Sequence, residues 1–192
     1  HDIIKNINKK CEPYNIKIVI KGGMAFQFYC KLDISSKDYD LVVLSNATND
    51  TSRYKVMNRI AKLIQYELNS RNYNPDPTYK YKHEYVVTSS HPFLVTINTN
   101  DHDEHTTANT IDITHDKHFP AIKNRYDREP YEGHIVEIEP YLYTLSYAYI
   151  LRDTVRMIHQ QLEPGYTNGK ISLMLCVKIL KSINMLMIFT KV

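Results

Sequence analysis

The sequence predicts an α+β fold: a mixed sheet of about five strands flanked by helices over residues 1–139, followed by a short helical segment over residues 140–192. Three observations carry this. Short β-branched runs alternate with stretches whose apolar residues recur at helical spacing, so both element types share one chain region. The strand-like runs stop before Pro140, after which long apolar-periodic stretches follow. Hydrophobic residues make up 43% of the 192 residues, enough for the core of one ordinary domain and unlike a disordered chain.

The elements follow in order. Ile16-Lys17-Ile18-Val19-Ile20 is a β-branched run ended by Gly22-Gly23 and reads as a strand. Residues 24–30 have the composition of a short helix. Residues 38–44 form a second strand, alternating at its start and apolar at its end. Asp50-Thr51-Ser52 supplies a helix N-cap, and Val56, Ile60, Leu63, Ile64 and Leu68 then repeat on one helical face as far as about Asn72, ahead of Pro75-Asp76-Pro77. Residues 82–88 and 93–98 read as strands joined by Ser89-Ser90-His91-Pro92. The polar, acidic residues 100–108 read as a loop. Residues 110–114 and 134–138 read as further short strands. Pro140 suits a first helical turn, which predicts a helix over 141–162. Pro164-Gly165 and Asn168-Gly169 interrupt, and a last apolar helix covers 170–188.

Charge and cysteines bound the function classes. With 24 basic and 21 acidic residues the net charge is +3, too balanced to mark a nucleic-acid binder by itself but compatible with a phosphate-bearing partner. Cys11, Cys30 and Cys176 are odd in number, widely spaced and form no CxxC pair, which fits a reducing, intracellular and cytoplasmic setting. The first fifteen residues are polar and charged, unlike a signal peptide. The most apolar stretch, 171–190, is interrupted by Lys178 and Lys181. Each would cost roughly 3 kcal/mol at mid-membrane, so a buried helix and no membrane partner are expected.

Chemistry concentrates in residues 21–44. Adjacent Gly22 and Gly23 let the backbone turn tightly and approach a phosphate, and a helix start adds unpaired N–H groups and a positive dipole end. Asp38 and Asp40, two apart on a strand, point to one face. Side by side they repel, and a divalent cation resolves that cost; Mg²⁺ takes one or two carboxylates plus waters and phosphate oxygens. Asp112, between Ile111 and Ile113 on a β-type segment, is the best third carboxylate, with Asp101, Asp103, Glu104 and Asp116 as nearby alternatives. The plainer readings are a simple β–α turn at Gly22-Gly23 and two solvated aspartates at a strand start. His102, His105, His115 and His118 cluster with Asp101, Asp103 and Asp116, but their spacing fits no common zinc pattern and reads as a polar loop. Ser35 and Ser36 have no His-Asp arrangement of a nucleophile; Ser36 suits a bond to a phosphate oxygen or to backbone. Lys178 and Lys181 either reach a triphosphate or RNA, or snorkel from a buried helix.

Gly22-Gly23-x-Ala25 followed by Ser36-Lys37-Asp38-Tyr39-Asp40-Leu41 resembles the signature of the nucleotidyltransferase superfamily. The likeness spans residues 16–114 and is nearest to the poly(A) polymerases of large DNA viruses and to the AbiEii-like toxins of bacteria. It departs from the usual pattern in carrying Gly-Gly-Met where members mostly show Gly-Ser. The resemblance implies a polymerase-β-type nucleotidyltransferase core with a two-metal Mg²⁺ or Mn²⁺ centre on Asp38, Asp40 and Asp112. It further implies nucleotide contacts from Gly22, Gly23, Ser36 and Lys178. The implied reaction is transfer of NMP from an NTP, ATP favoured, to a hydroxyl, with release of pyrophosphate. The implied acceptor is an RNA 3′ end, as in viral mRNA polyadenylation in the cytoplasm, a viral factory or the virion. The rival readings are a toxin-like transferase modifying tRNA or protein, and an inactive binding or scaffold subunit. The chain leaves little room for an RNA-clamping domain, so a homodimer or an additional subunit is the expected way to complete an RNA channel, with the last apolar helix as interface.

Overall fold

The computed structural model describes residues 1–30, 38–71, 84–91, 94–99, 110–116 and 131–162. The chain enters through a helix, α1 (Asp2–Cys11), where the sequence suggests no element because polar residues dominate. Ile4, Ile7, Asn8 and Cys11 nevertheless recur at helical spacing and are buried, and Asp2 in the first turn with Lys9 and Lys10 in the last match the helix dipole. A short 3-10 turn, Glu12–Tyr14, and a left-handed Asn15 (φ 53°) lead into strand β1 (Lys17–Lys21). Helix α2 (Gly22–Cys30) follows without a loop and begins two residues earlier than the composition suggests. Strand β2 (Asp38–Leu44) has the expected bounds. Helix α3 (Asp50–Ser70) is capped one residue earlier than expected, by Asn49, whose side chain accepts from the Ser52 N–H at 2.9 Å in a reciprocal capping box.

Strands β3 (Tyr85–His91), β4 (Leu94–Thr99) and β5 (Thr110–His115) follow, so Ser89, Ser90 and His91 extend a strand rather than form its connection. The last strands are β6 (Ile135–Glu139) and β7 (Leu142–Leu145), and helix α4 (Tyr147–Leu162) ends the described residues. Here the structure corrects the expected helix over 141–162. Tyr141 lies at φ 65°. A right-handed helix cannot pass through that backbone state, and the chain turns back there so that β7 pairs antiparallel with β6. The helix begins only after Ser146, whose Oγ accepts from the Tyr149 N–H at 3.3 Å, as a capping hydroxyl does. The helix expected over 170–188 lies outside the described residues.

The seven strands of the described residues join one mixed sheet in the order β3-β4-β5-β2-β1-β7-β6, with β7 the one strand that the sequence does not suggest. β2 is antiparallel to β1 and parallel to β5, and β7 is parallel to β1. The expected division at residue 139 therefore falls in the β6–β7 turn, with the sheet continuing past it. Helices α1 and α3 pack together, over β1 and over β3 to β5 respectively; α2 packs on β1, β2 and α4. The central strands are covered on both faces. Ile18, Val19, Ile20, Leu41, Val42 and Val43 are fully buried, which is why these strands read as continuous apolar runs rather than alternating ones.

Two amides, Asn8 buried and Asn69 half-buried, seat the helices on the sheet. Asn8 Oδ1 accepts from the Ile18 N–H at 2.7 Å, and its Nδ2 donates to the carbonyls of Ile18 (2.9 Å) and Tyr141 (3.0 Å). Asn69 does the same for β3, accepting from the Tyr85 N–H at 2.9 Å and donating to the Tyr85 carbonyl at 3.0 Å. Each amide completes backbone groups near a strand start, and the Tyr85 carbonyl also accepts from Gln65 Nε2 at 3.0 Å.

Candidate active site

The strand register assembles the site. Asp40 on β2 is directly paired with Asp112 on β5, and Asp38 is paired with Thr110. Directly paired residues share a sheet face, and so do residues two apart, so Asp38, Asp40 and Asp112 all project from one face. The same row continues to Lys21 of β1 on one side and Thr96 of β4 on the other. Tyr39, Leu41 and Ile111 alternate onto the opposite face, where they line an apolar cavity of about 190 Å³ under α1 and α3. Asp38 is exposed at the strand start, while Asp40 and Asp112 are half-buried.

Gly22 is placed against this row for a steric reason. Its φ is +64°, a value side chains rarely adopt. A Cβ built on it would collide with the Asp40 carboxylate, 3.1 Å from Cγ and nearer still to Oδ2. The glycine thus lets the start of α2 come within contact of the carboxylate. The first N–H groups of a helix have no partner within it, and the dipole's positive end lies there. Gly23 is half-buried in the same first turn.

The sequence reasoning missed Thr96. Its Oγ1 donates to Asp112 Oδ1 at 2.8 Å, a bond between directly paired residues of β4 and β5. Only the register could reveal it, since sixteen residues separate the two in sequence. Asn98, two residues on and facing the same side, donates from Nδ2 to Thr88 Oγ1 at 2.9 Å, while its Oδ1 is buried without a hydrogen-bond partner.

The remaining candidates divide. Asp116, an alternative third carboxylate, lies past the far end of β5: its N–H donates to the Val43 carbonyl at 3.0 Å and its Oδ1 accepts from the Tyr131 N–H at 3.2 Å. His115 is buried, on the face opposite Asp112, with its Nε2 2.8 Å from Ser45 Oγ. His115 is therefore part of β5, and Asp116 is a buried turn residue at its end, rather than members of a polar loop. Asp101, Asp103, Glu104, His102, His105, His118, Ser36, Lys178 and Lys181 lie outside the described residues, so the structure brings together Gly22, Gly23, Asp38, Asp40 and Asp112 from the expected set.

The donor chemistry fits a hard divalent cation, which prefers carboxylate oxygens. The side chains stand apart as described: among the described residues no group of three or more His, Cys, Asp and Glu is arranged to hold a metal ion. Paired strands lie about 4.8 Å apart, so Asp40 and Asp112 stand close on one face, and Lys21, paired to Asp40 on its other side, offsets part of their mutual repulsion.

Burial pushes the Cys11 thiol above its ordinary range and does the same to the Tyr29 phenol, whose OH donates to the Leu145 carbonyl at 3.0 Å. Cys11 is a free, buried thiol. Among the described residues no helix is long and apolar enough to cross a membrane; residues 171–190 are not among them.

No family model and no curated protein matches the chain by sequence. Solved structures do resemble it. An antigenic nucleotidyltransferase-like protein from Paracoccidioides brasiliensis aligns with 95% of this chain and 74% of its own, at 13% identity and a TM-score of 0.46. Terminal uridylyl transferase 4 from Trypanosoma brucei, solved with bound CTP, aligns with 96% of this chain at 12% identity and a TM-score of 0.36; this chain spans half of that protein's length. At such scores the likeness carries no substrate or activity over to this chain.

Proposed function

We propose that this chain is the core of a metal-dependent nucleotidyltransferase. The observation that carries the reading is the direct pairing of Asp40 with Asp112, with Asp38 on the same face and a glycine-opened helix start in contact with Asp40. Asp38, Asp40 and Asp112 hold Mg²⁺ or Mn²⁺. When bound, the metal supplies positive charge for the attacking oxygen and for the pyrophosphate leaving group. Gly22 and Gly23 present the first N–H groups of α2 to phosphate oxygens, and the absence of a Cβ at Gly22 lets phosphate and carboxylate share one small space. The net reaction joins the acceptor oxygen to the α-phosphorus of an NTP, breaks the α–β phosphoanhydride bond, and releases pyrophosphate and a proton. Such an in-line displacement needs positioning and charge neutralisation more than a protein nucleophile.

The finer reading takes ATP as donor and an RNA 3′ end as acceptor, and rests on the resemblance of the Gly22-Gly23 and Asp38-Tyr39-Asp40 motifs to viral poly(A) polymerases. Labelled-nucleotide incorporation tests it: the protein with each NTP, Mg²⁺ or Mn²⁺ and a short RNA, beside Asp38→Ala/Asp40→Ala. Incorporation that the double variant loses supports the transferase, and adenylate runs on RNA support the finer reading. Single additions to tRNA or protein would replace the finer reading with a modifying transferase. No incorporation into any acceptor by folded protein would leave a binding or scaffold domain.

A further inference from the structure

The row of carboxylates has a neighbour that the metal-site reading does not use. Thr96 Oγ1 donates to Asp112 Oδ1 at 2.8 Å, and Thr96 is only 9% exposed. Its position is set by register. Val95 and Ile97 on either side are fully buried against the opposite face, so a one-residue slip of β4 would turn both out of the core and Thr96 into it. β4 is also held on both sides, by β3 and by β5. A β-branched side chain on a paired strand has few rotamers, so the hydroxyl is held at a defined place beside Asp112. A carboxylate offers about four lone-pair sites on its two oxygens, and the threonine takes one of those on Oδ1, which fixes the plane of the group and leaves the others for a cation.

We propose that Thr96 is a positioning residue for the metal site: its hydroxyl holds the Asp112 carboxylate in one orientation beside Asp40 for ligation of the divalent cation. This rests on the reading of Asp38, Asp40 and Asp112 as metal ligands. Hydrogen bonds to a ligating carboxylate fix its rotamer before the metal arrives, and losing such a partner characteristically weakens metal affinity about 10- to 100-fold. A threonine that merely satisfied a strand neighbour would affect stability and leave metal affinity alone.

The test is Mn²⁺ titration, followed by the electron paramagnetic resonance signal of free Mn²⁺, on wild-type protein, Thr96→Val, Thr96→Ser and Asp112→Asn. Thr96→Val keeps the shape of the side chain and removes the hydroxyl. It is expected to weaken Mn²⁺ binding about tenfold or more and to raise the Mg²⁺ concentration for half-maximal incorporation in proportion. Thr96→Ser is expected to restore both, with unchanged circular dichroism throughout; if Thr96→Val fails to fold, Thr96→Ala carries the same expectation. Wild-type affinity in Thr96→Val, alongside lost binding in Asp112→Asn, overturns the role of Thr96 and leaves the metal site standing. Equal weakening in Thr96→Ser also overturns it, because the hydroxyl is retained there. Wild-type protein that binds no Mn²⁺ overturns the metal-site reading and this inference together.

Discussion

The two ends of the β2–β5 pair are built from similar polar residues put to opposite use. At the far end, polar side chains serve the fold. Ser45 meets His115, Asp116 holds the Tyr131 backbone, and nearby Asn8 completes the start of β1. Donor faces acceptor in each of these contacts, and all of the groups belong to the chain itself. At the near end, carboxylates gather on one face, with Lys21 paired to Asp40 beside them. Asp40 and Asp112 are paired across the strands, Asp38 shares their face, and Gly22 gives up a side chain so that backbone can approach a carboxylate. The contrast separates polar groups that satisfy one another within the sheet from carboxylates gathered on one face, the arrangement on which the proposed metal site rests.

Four substitutions can break or sharpen that contrast. The largest effect is expected from Asp38→Ala/Asp40→Ala, which should lower nucleotide incorporation by at least about a thousandfold, roughly 4 kcal/mol in barrier. In metal-free buffer the same variant should melt close to wild type, because the repulsion between Asp40 and Asp112 is lost together with the attraction between Asp40 and Lys21. A clear fall in melting temperature would mean that the aspartates serve the fold, and the contrast would collapse.

At the other end Asn8→Ala should do the reverse. It leaves an N–H and two carbonyls without their amide partner, at about 2–3 kcal/mol measured by urea denaturation. Mn²⁺ affinity of the folded fraction should be unchanged. Gly22→Ala joins the two kinds of effect. An alanine held in the left-handed region costs about 1 kcal/mol or somewhat more in backbone strain. Its Cβ also displaces the Asp40 carboxylate. Mn²⁺ affinity should therefore fall together with stability, and a loss of stability alone would remove Gly22 from the site.

The smallest effect is expected at a surface pair away from both ends. The Glu67 carboxyl is held below its ordinary value of 4.5, first by the hydrogen bond from Lys10 and further by Arg71, at 3.0 and 3.2 Å. A depressed carboxyl stabilises the fold above its unfolded value and loses that contribution as pH falls through the lower folded one. Glu67→Gln should cost about 0.5 kcal/mol near neutral pH, given the exposure of its partners, and nothing in strong acid. A difference from wild type that persists at the lowest pH would refute the assignment to charge.

How much was legible depended on whether the signal was local. Strand β2 could be read to the residue because Asp38-Tyr39-Asp40 alternates before Leu41-Val42-Val43 runs apolar. The glycine pair before α2 and the long amphipathic α3 were equally local. Helix α1 is hard to read locally because its charged residues hide a stripe of only four buried positions. Strand β7 is ambiguous because Leu142-Tyr143-Thr144-Leu145 suits either helix or strand. What decides between them is the φ of Tyr141 and the place open beside β1, neither of which is a property of that tetrapeptide.

The site divides along the same line. By itself the sequence determined that Asp38 and Asp40 share a face, because the two-residue period of a strand is a property of the backbone alone. It determined that Gly22-Gly23 could open a helix toward a phosphate, because only a missing Cβ permits that approach. The tertiary structure decided which carboxylate joins them. Asp112 and Asp116 are four residues apart on one segment, and the isoleucines either side of Asp112 favour it without excluding Asp116. The parallel register of β5 against β2 sets Asp112 beside Asp40 and carries Asp116 past the other end, to the Tyr131 backbone. The same register put Thr96 on Asp112. Pairing between distant strands is set by the burial of their apolar faces, a sum over the whole core, and no short stretch of sequence contains it.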